Sequence, residues 1–232
     1  MSGSSKPQAV GAYDLIRWEI LHGSLMPGQR LRVAELNSRY DLGLTPIREA
    51  LVRLASEGLI VSENHRGARV RGASREELRD LIKARREIER LCLTDAMEAG
   101  GAEWEAEIMR SYHMLSRAPL PDSAADLEAA AEWETRHREF HTALVAACRS
   151  PWLLTFWSTL ADHSARYRKL RLLHRLEPKA GVSDLDAEHR RIMEVVLARD
   201  VTGAVSLMDR HIEATADAVL NLLGNQELRG AD

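Results

Sequence analysis

Residues 33–72 read VAELNSRYDLGLTPIREALVRLASEGLIVSENHRGARVRG, and the spacing of their apolar positions decides the fold of the first part of the chain. Val33, Leu36 and Tyr40 recur at helical intervals and stop at Asp41 to Gly43. Thr45-Pro46 then signals a new helix, with the threonine as N-cap and the proline at the first helical position, where an N–H would have no partner anyway. Ile47, Leu51 and Leu54 continue on one face until Gly58. Beyond it, Leu59-Ile60-Val61, a turn over Asn64 to Gly67, and Ala68 to Arg71 predict a two-stranded hairpin with a basic tip. Working backwards, Tyr13, Ile16 and Ile20 place a helix over about Gln8 to Leu25, ended by the Pro27-Gly28 turn. A helix, a helix-turn-helix and a wing make a winged helix-turn-helix over residues 1–72.

The remainder, residues 73–232, reads as helix throughout. Ser74 and Glu77 form a capping box that opens a helix running to about Ala99, where Gly100-Gly101 ends it. Further helices are predicted over about Ala102 to Arg117, Asp122 to Cys148, Pro151 to Leu176, Asp184 to Ala198 and Val201 to Leu223. Six helices with short connections are expected to pack as an antiparallel bundle, so the fold class is mainly α.

Composition limits the rest. Aromatic residues make up 5% and charged residues 29%, a balance of long amphipathic helices. The polar Met1 to Pro7 opening and the lack of any long apolar run predict a chain that is neither exported nor in a membrane. Cys92 and Cys148 lie in helix-like segments without a CxxC pair, which argues against a disulfide framework and for a reducing, cytoplasmic setting. The net charge of −3 is uneven: residues 1–72 hold ten Lys and Arg against seven acids, leaving −6 on the remainder. A basic head on an acidic body hints at an anionic partner for the head.

Head and body together resemble the GntR family of bacterial transcription regulators, in its FadR-type subgroup with an all-helical effector domain. The residues that carry the resemblance are Met26 to Leu31, Thr45 to Leu51, Glu57 to Ile60, Arg66 to Val70, Arg85 to Glu89, Phe140-His141, Glu188 to Arg190 and Arg210-His211. It implies a homodimer on a palindromic double-stranded operator, most often as a repressor. Helix-turn-helix geometry puts Thr45 and Arg48 against base edges in the major groove. The wing residues His65, Arg66 and Gly67 resemble the family's minor-groove and phosphate contacts, and Arg32 and Arg39 are candidate phosphate contacts. Gly43-Leu44 stands where many relatives have a Ser-Arg pair, so one base-reading arginine of that pattern is absent.

Four of nine histidines fall on apolar stripes of body helices. His137 and His141 share a stripe with Trp133, Phe140 and Leu144; His189 shares one with Ile192 and Val196, and His211 one with Ala204 and Met208. A lone inward histidine is usually a core residue, but several on facing helices suit a divalent ion, zinc first and nickel or manganese next. The resemblance implies a metal held by an acid-x3-His pair and two further histidines. His141, His189 and His211 match its histidine places, while His137 replaces the Asp or Asn.

The resemblance also implies a small organic acid effector, of the C4 to C6 dicarboxylate kind in relatives with a similar Trp133 to His141 run. Arg85 matches the effector-domain arginine, and Arg166 and Tyr167 are further candidate lining residues. A regulator that senses the metal itself, or a metal-dependent enzyme with a DNA-binding head, are the alternatives. Against the enzyme, Glu139 lies two residues past His137, about 200° around the helix from it, and so cannot act as base for this metal.

Overall fold

The computed structural model describes residues 11–21, 24–63, 67–72, 74–121, 126–173 and 185–229. The chain divides into two compact units, residues 1–73 and 74–232.

The first unit packs α1 (Ala12–Leu21), α2 (Val33–Tyr40) and α3 (Leu44–Ser56) with a small sheet of β1 (Arg30–Leu31), β2 (Ile60–Glu63) and β3 (Gly67–Val70). Ile16, Ile20, Leu36, Ile47, Leu54 and Ile60 are buried at its centre. Each contributes roughly 1.5–3 kcal/mol through the area it removes from water. Tyr13 adds a polar fastening, its hydroxyl donating to the Glu57 carboxylate at 2.8 Å.

Three details depart from the expectations. The first helix ends at Leu21, with Ser24 and Leu25 in a bend, and Gln8 to Val10 lie outside the described residues. The hairpin gains a third strand, in the order β1-β3-β2, because Arg30 and Leu31 pair antiparallel with Arg69 and Ala68. Gly67 permits this, since its φ is +98° and a Cβ there would lie 3.2 Å from the Leu31 carbonyl. The N-cap of α3 is Gly43, at φ +85°, rather than Thr45. Its N–H donates to Asn37 Oδ1 at 2.8 Å, so Thr45 and Pro46 fall inside the first turn. That turn tolerates the proline because its N–H groups have no intrahelical acceptor.

The second unit is an antiparallel bundle of six helices: α4 (Arg75–Ala99), α5 (Ala102–Arg117), α6 (Leu127–Val145), α7 (Pro151–Leu173), α8 (Leu185–Leu197) and α9 (Val201–Arg229). Ser74 caps α4 by accepting from the Glu77 N–H at 3.0 Å. The Glu77 carboxylate is engaged elsewhere, by Arg166 at 3.3 Å and by the Tyr167 hydroxyl at 3.2 Å, both on α7. Asp126 caps α6 and the helix ends at Val145, so Cys148 sits in the turn after it and not inside the helix. Both cysteines are buried and free. Cys92, Leu93, Phe140, Leu144, Val196 and Ala204 form the middle of one continuous core. No helix among the described residues is long and apolar enough to cross a membrane.

The α4–α5 corner is tight. Trp104 donates from its indole to the Ala143 carbonyl at 2.8 Å, and its ring covers Gly100. A Cβ on Gly100 would lie 2.2 Å from that ring and 2.9 Å from the Ala96 carbonyl, whereas one on Gly101 meets nothing within 4 Å. Gly100→Ala is therefore expected to lower stability by about 1–3 kcal/mol through overpacking. Gly101→Ala should stay within about 0.5 kcal/mol. Equal melting temperatures for the two variants would contradict the packing described.

Candidate functional site

In the first unit, Thr45 and Arg48 are exposed on the outer face of α3. Arg48 lines an open groove with Val52, Ala55, Ser62 and Gly67, between α3 and the two long strands. Arg32 pairs with Glu35 at 2.7 Å and Arg39 with Glu19 at 3.2 Å, so each holds an acid neighbour that a phosphate would have to displace. His65 and Arg66 lie outside the described residues.

In the second unit, three helices bring four histidines together. His137 and His141 stand one turn apart on α6, His189 comes from α8 and His211 from α9. One donor atom from each lies within 4.8 Å of all the others. The ring centroids of His137 and His141 are 4.3 Å apart, and those of His189 and His211 4.7 Å. Trp133 stacks on His137 with centroids 4.7 Å apart.

Burial, and then the neighbouring rings and arginines, hold His137 and His141 well below the ordinary imidazole range, so both are neutral and offer lone pairs. His189 Nδ1 faces the Leu185 carbonyl at 2.5 Å and His211 Nδ1 faces the Glu188 carboxylate at 3.0 Å. Each oxygen can only accept, so each Nδ1 carries a proton and the Nε2 is the atom left to face the cluster. A carbonyl or carboxylate behind a histidine is the arrangement that orients imidazole toward a metal. Four imidazole nitrogen donors fit a borderline divalent ion such as zinc or nickel better than a hard one such as manganese. Glu139 turns outward and accepts from Arg136 at 3.0 Å.

Beside the histidines, Arg85, His137, Ser164, Tyr167, Arg168, His211 and Thr215 line a mostly closed cavity of about 10 Å³, room for about one water. Arg85 is 5% exposed, and its Nε lies 3.8 Å from Glu89 Oε2. Burial and the nearby Arg168 push its pKa down to about 10, which still leaves it charged at neutral pH. Glu89 accepts from the Trp157 indole at 2.7 Å, and burial pushes its carboxyl above the usual range. The flanking Arg86 points away, to Asp209 at 3.0 Å and to Glu213.

Tyr167 lines the cavity, while Arg166 is turned from it toward Glu77. The arginine in the wall is Arg168, two residues on, whose Nε donates to Glu134 at 3.2 Å and whose Nη2 donates to the same carboxylate. Sequence reading missed both members of this pair. The signal was there: Glu134 precedes His137 and His141 at helical steps of 3 and 4, and Ala161, Ala165 and Arg168 share one stripe of α7.

Among the described residues, the buried side-chain atoms without a hydrogen-bond partner gather around this one place. They include Arg85 Nε, Glu89 Oε1, His137 Nδ1, both His141 nitrogens and Arg168 Nη1. Folding rarely leaves such groups unmatched, because each costs about 1–3 kcal/mol.

A winged head joined in one chain to a helical domain with a polar centre is the architecture of a DNA-binding protein with a second, helical domain. Residues 8–70 match the family of bacterial regulatory proteins called gntR, and residues 80–214 match the FCD domain. The chain is 37% identical over 206 residues to the HTH-type transcriptional repressor GlaR of Escherichia coli, covering 88% of this chain and 93% of that protein. It is 34% identical to the uncharacterized HTH-type transcriptional regulator BphR of Paraburkholderia xenovorans, covering 89% and 83%. The solved structure of E. coli McbR/YncC superposes with a TM-score of 0.73 at 20% identity, covering 91% of this chain and 96% of that one. The chain belongs to the GntR family, with an FCD domain, and is a DNA-binding transcription regulator rather than an enzyme.

The Glu134–Arg168 pair is buried on both sides, each side chain being 6% exposed. Glu134→Ala strands a buried cation and is expected to cost about 3–5 kcal/mol. Replacing both partners, as Glu134→Leu with Arg168→Met, should cost markedly less in the same chemical denaturation series. The opposite order would mean that the pair is not a closed ionic unit.

Proposed function

We propose that this chain is a cytoplasmic, ligand-responsive repressor that binds a palindromic operator as a homodimer. Release follows when a small carboxylate enters the FCD domain beside a divalent metal. The observation that carries this reading is the convergence of unpartnered buried polar atoms on the histidine cluster and the adjoining arginines. His137, His141, His189 and His211 would hold the ion, zinc first, with nickel or manganese as the other candidates. When bound, the ion supplies positive charge and Lewis acidity toward a carboxylate oxygen. Arg85 adds a charge-assisted donor for the same group. The small cavity supports a two-state device: an organic acid does not fit beside Arg85 in this arrangement, so it must select a wider one. The short segment Gly72-Ala73 is the route by which that choice reaches the head.

In the head, Thr45 and Arg48 read base edges, Arg32 and Arg39 hold phosphates, and the wing residues His65, Arg66 and Gly67 approach the backbone or minor groove. A single small head buries little surface, which favours two heads on a two-fold site. One observation favours a second reading, in which the ion itself is the signal. Four protein nitrogens would satisfy the usual four-ligand preference of zinc and would leave no position for a carboxylate.

Two measurements test the proposal. In Arg48→Ala, operator affinity is expected to fall to the level for unrelated DNA, with fold and metal content unchanged. Retained operator selectivity would remove Arg48 from base reading. Elemental analysis of the purified chain should find a near-stoichiometric divalent ion that is lost in His141→Ala. No metal after incubation with zinc, nickel or manganese would sink the metal site.

A further inference from the structure

Resting on the operator reading above, we infer that α3 reads thymine methyl groups as well as a base edge. Leu44 and Val52 seat the C5-methyls of thymines that flank the base pair under Arg48.

Five residues of α3 share one outer face. At 100° per residue, Leu44, Thr45, Arg48, Val52 and Ala55 fall within about 100° of one another, on the side away from buried Ile47, Ala50 and Leu54. Leu44 is 46% exposed and Val52 71%. A single exposed aliphatic is ordinary on a protein surface, but these two share a face with Arg48. Val52, Ala55 and Arg48 also line the groove between α3 and the two long strands, together with buried Leu51 and Ile60. The other exposed arginine of the helix is turned aside. Arg53 lies about 180° from Leu44, held by Glu57 at 3.3 Å and placed over the Tyr13 ring at 3.6 Å. The outer face thus presents one cation, one hydroxyl and three apolar side chains.

The domain decides what covers such a face. In a helix-turn-helix the second helix lies in the major groove, and ten Lys and Arg against seven acids in residues 1–72 suit a polyanion. Base pairs offer one apolar group in that groove, the thymine C5-methyl. A leucine or valine set against any other base edge would leave a donor or acceptor without a partner. Spacing gives the positions. Leu44 and Val52 stand about one turn before and one turn after Arg48, each about 6 Å away along the axis, close to the rise of two base pairs.

The test starts from duplexes that the full-length chain selects out of a random pool. Deoxyuridine then replaces one thymidine at a time, which removes the methyl and nothing else. At one or more positions in each half-site, wild-type affinity should fall about 3- to 10-fold. In Leu44→Ala or Val52→Ala, both at exposed sites and expected to melt as the wild type does, affinity for the thymine duplex should fall by a similar factor. The matching deoxyuridine should then change binding by no more than about twofold. Leu44→Arg, carried through a second selection, should move the preferred base at its position from thymine to guanine. Selected half-sites without thymine, no loss at any deoxyuridine, or a loss that persists in both alanine variants overturns this inference and leaves operator binding intact. Alanine variants that bind every duplex like the wild type but sediment as weaker dimers assign the face to a second copy of the chain, and overturn it as well. If the wild type selects no sequence from the pool, the operator reading and this inference fall together.

Discussion

The bundle depends on satisfying polar side chains that its own helices carry inward. His137, His141, Glu134, Arg85, Glu89, Arg168, His189 and His211 are all buried, on five of the six helices of the second unit. None could be brought out of water alone without a large desolvation cost. They are tolerated because they meet: Arg168 with Glu134, Glu89 with Trp157, His211 with Glu188, His189 with a carbonyl. The apolar core of Phe140, Leu144, Ile192 and Val196 closes over one side of the group. Among the described residues, what remains unmatched is confined to one corner.

The head solves a smaller problem by geometry. Its core is aliphatic, and two glycines set where the chain bends. Gly43 opens α3 two residues earlier than a Thr45 cap would, and leaves Thr45 and Arg48 exposed in the first turns of the helix. Gly67 lets β1 join the wing strands, so that the wing is anchored on both sides of β3. Gln29 and Val70 complete this anchoring, the Val70 N–H donating to the Gln29 carbonyl at 2.9 Å.

The helices and the histidine quartet were legible because both rest on periodicity. Apolar residues at steps of 3 and 4 mark a buried face, and a histidine on such a face is placed by the same count. The histidines of α6, α8 and α9 were therefore readable before any contact was known. Elements that rest on two or three residues were not. Arg30-Leu31 is too short to show alternation, and it becomes a strand only because β3 lies beside it. The start of α3 escaped because Thr-Pro and a left-handed glycine both signal an opening, and local sequence does not rank them. Arg168 was passed over for Arg166 because charged residues were weighed by neighbourhood and not by face. At 100° per residue, two positions apart means opposite sides of the helix.

Glu77 stands in the first turn of α4, three residues past the cap that follows the connection between the two units, and Arg166 and Tyr167 both grip it. Tyr167 is also a wall of the cavity. The same side chain thus has one part on the cavity and its hydroxyl on the first turn of α4. Tyr167 couples the packing of the cavity wall to the first turn of α4 with no relay across the width of the bundle.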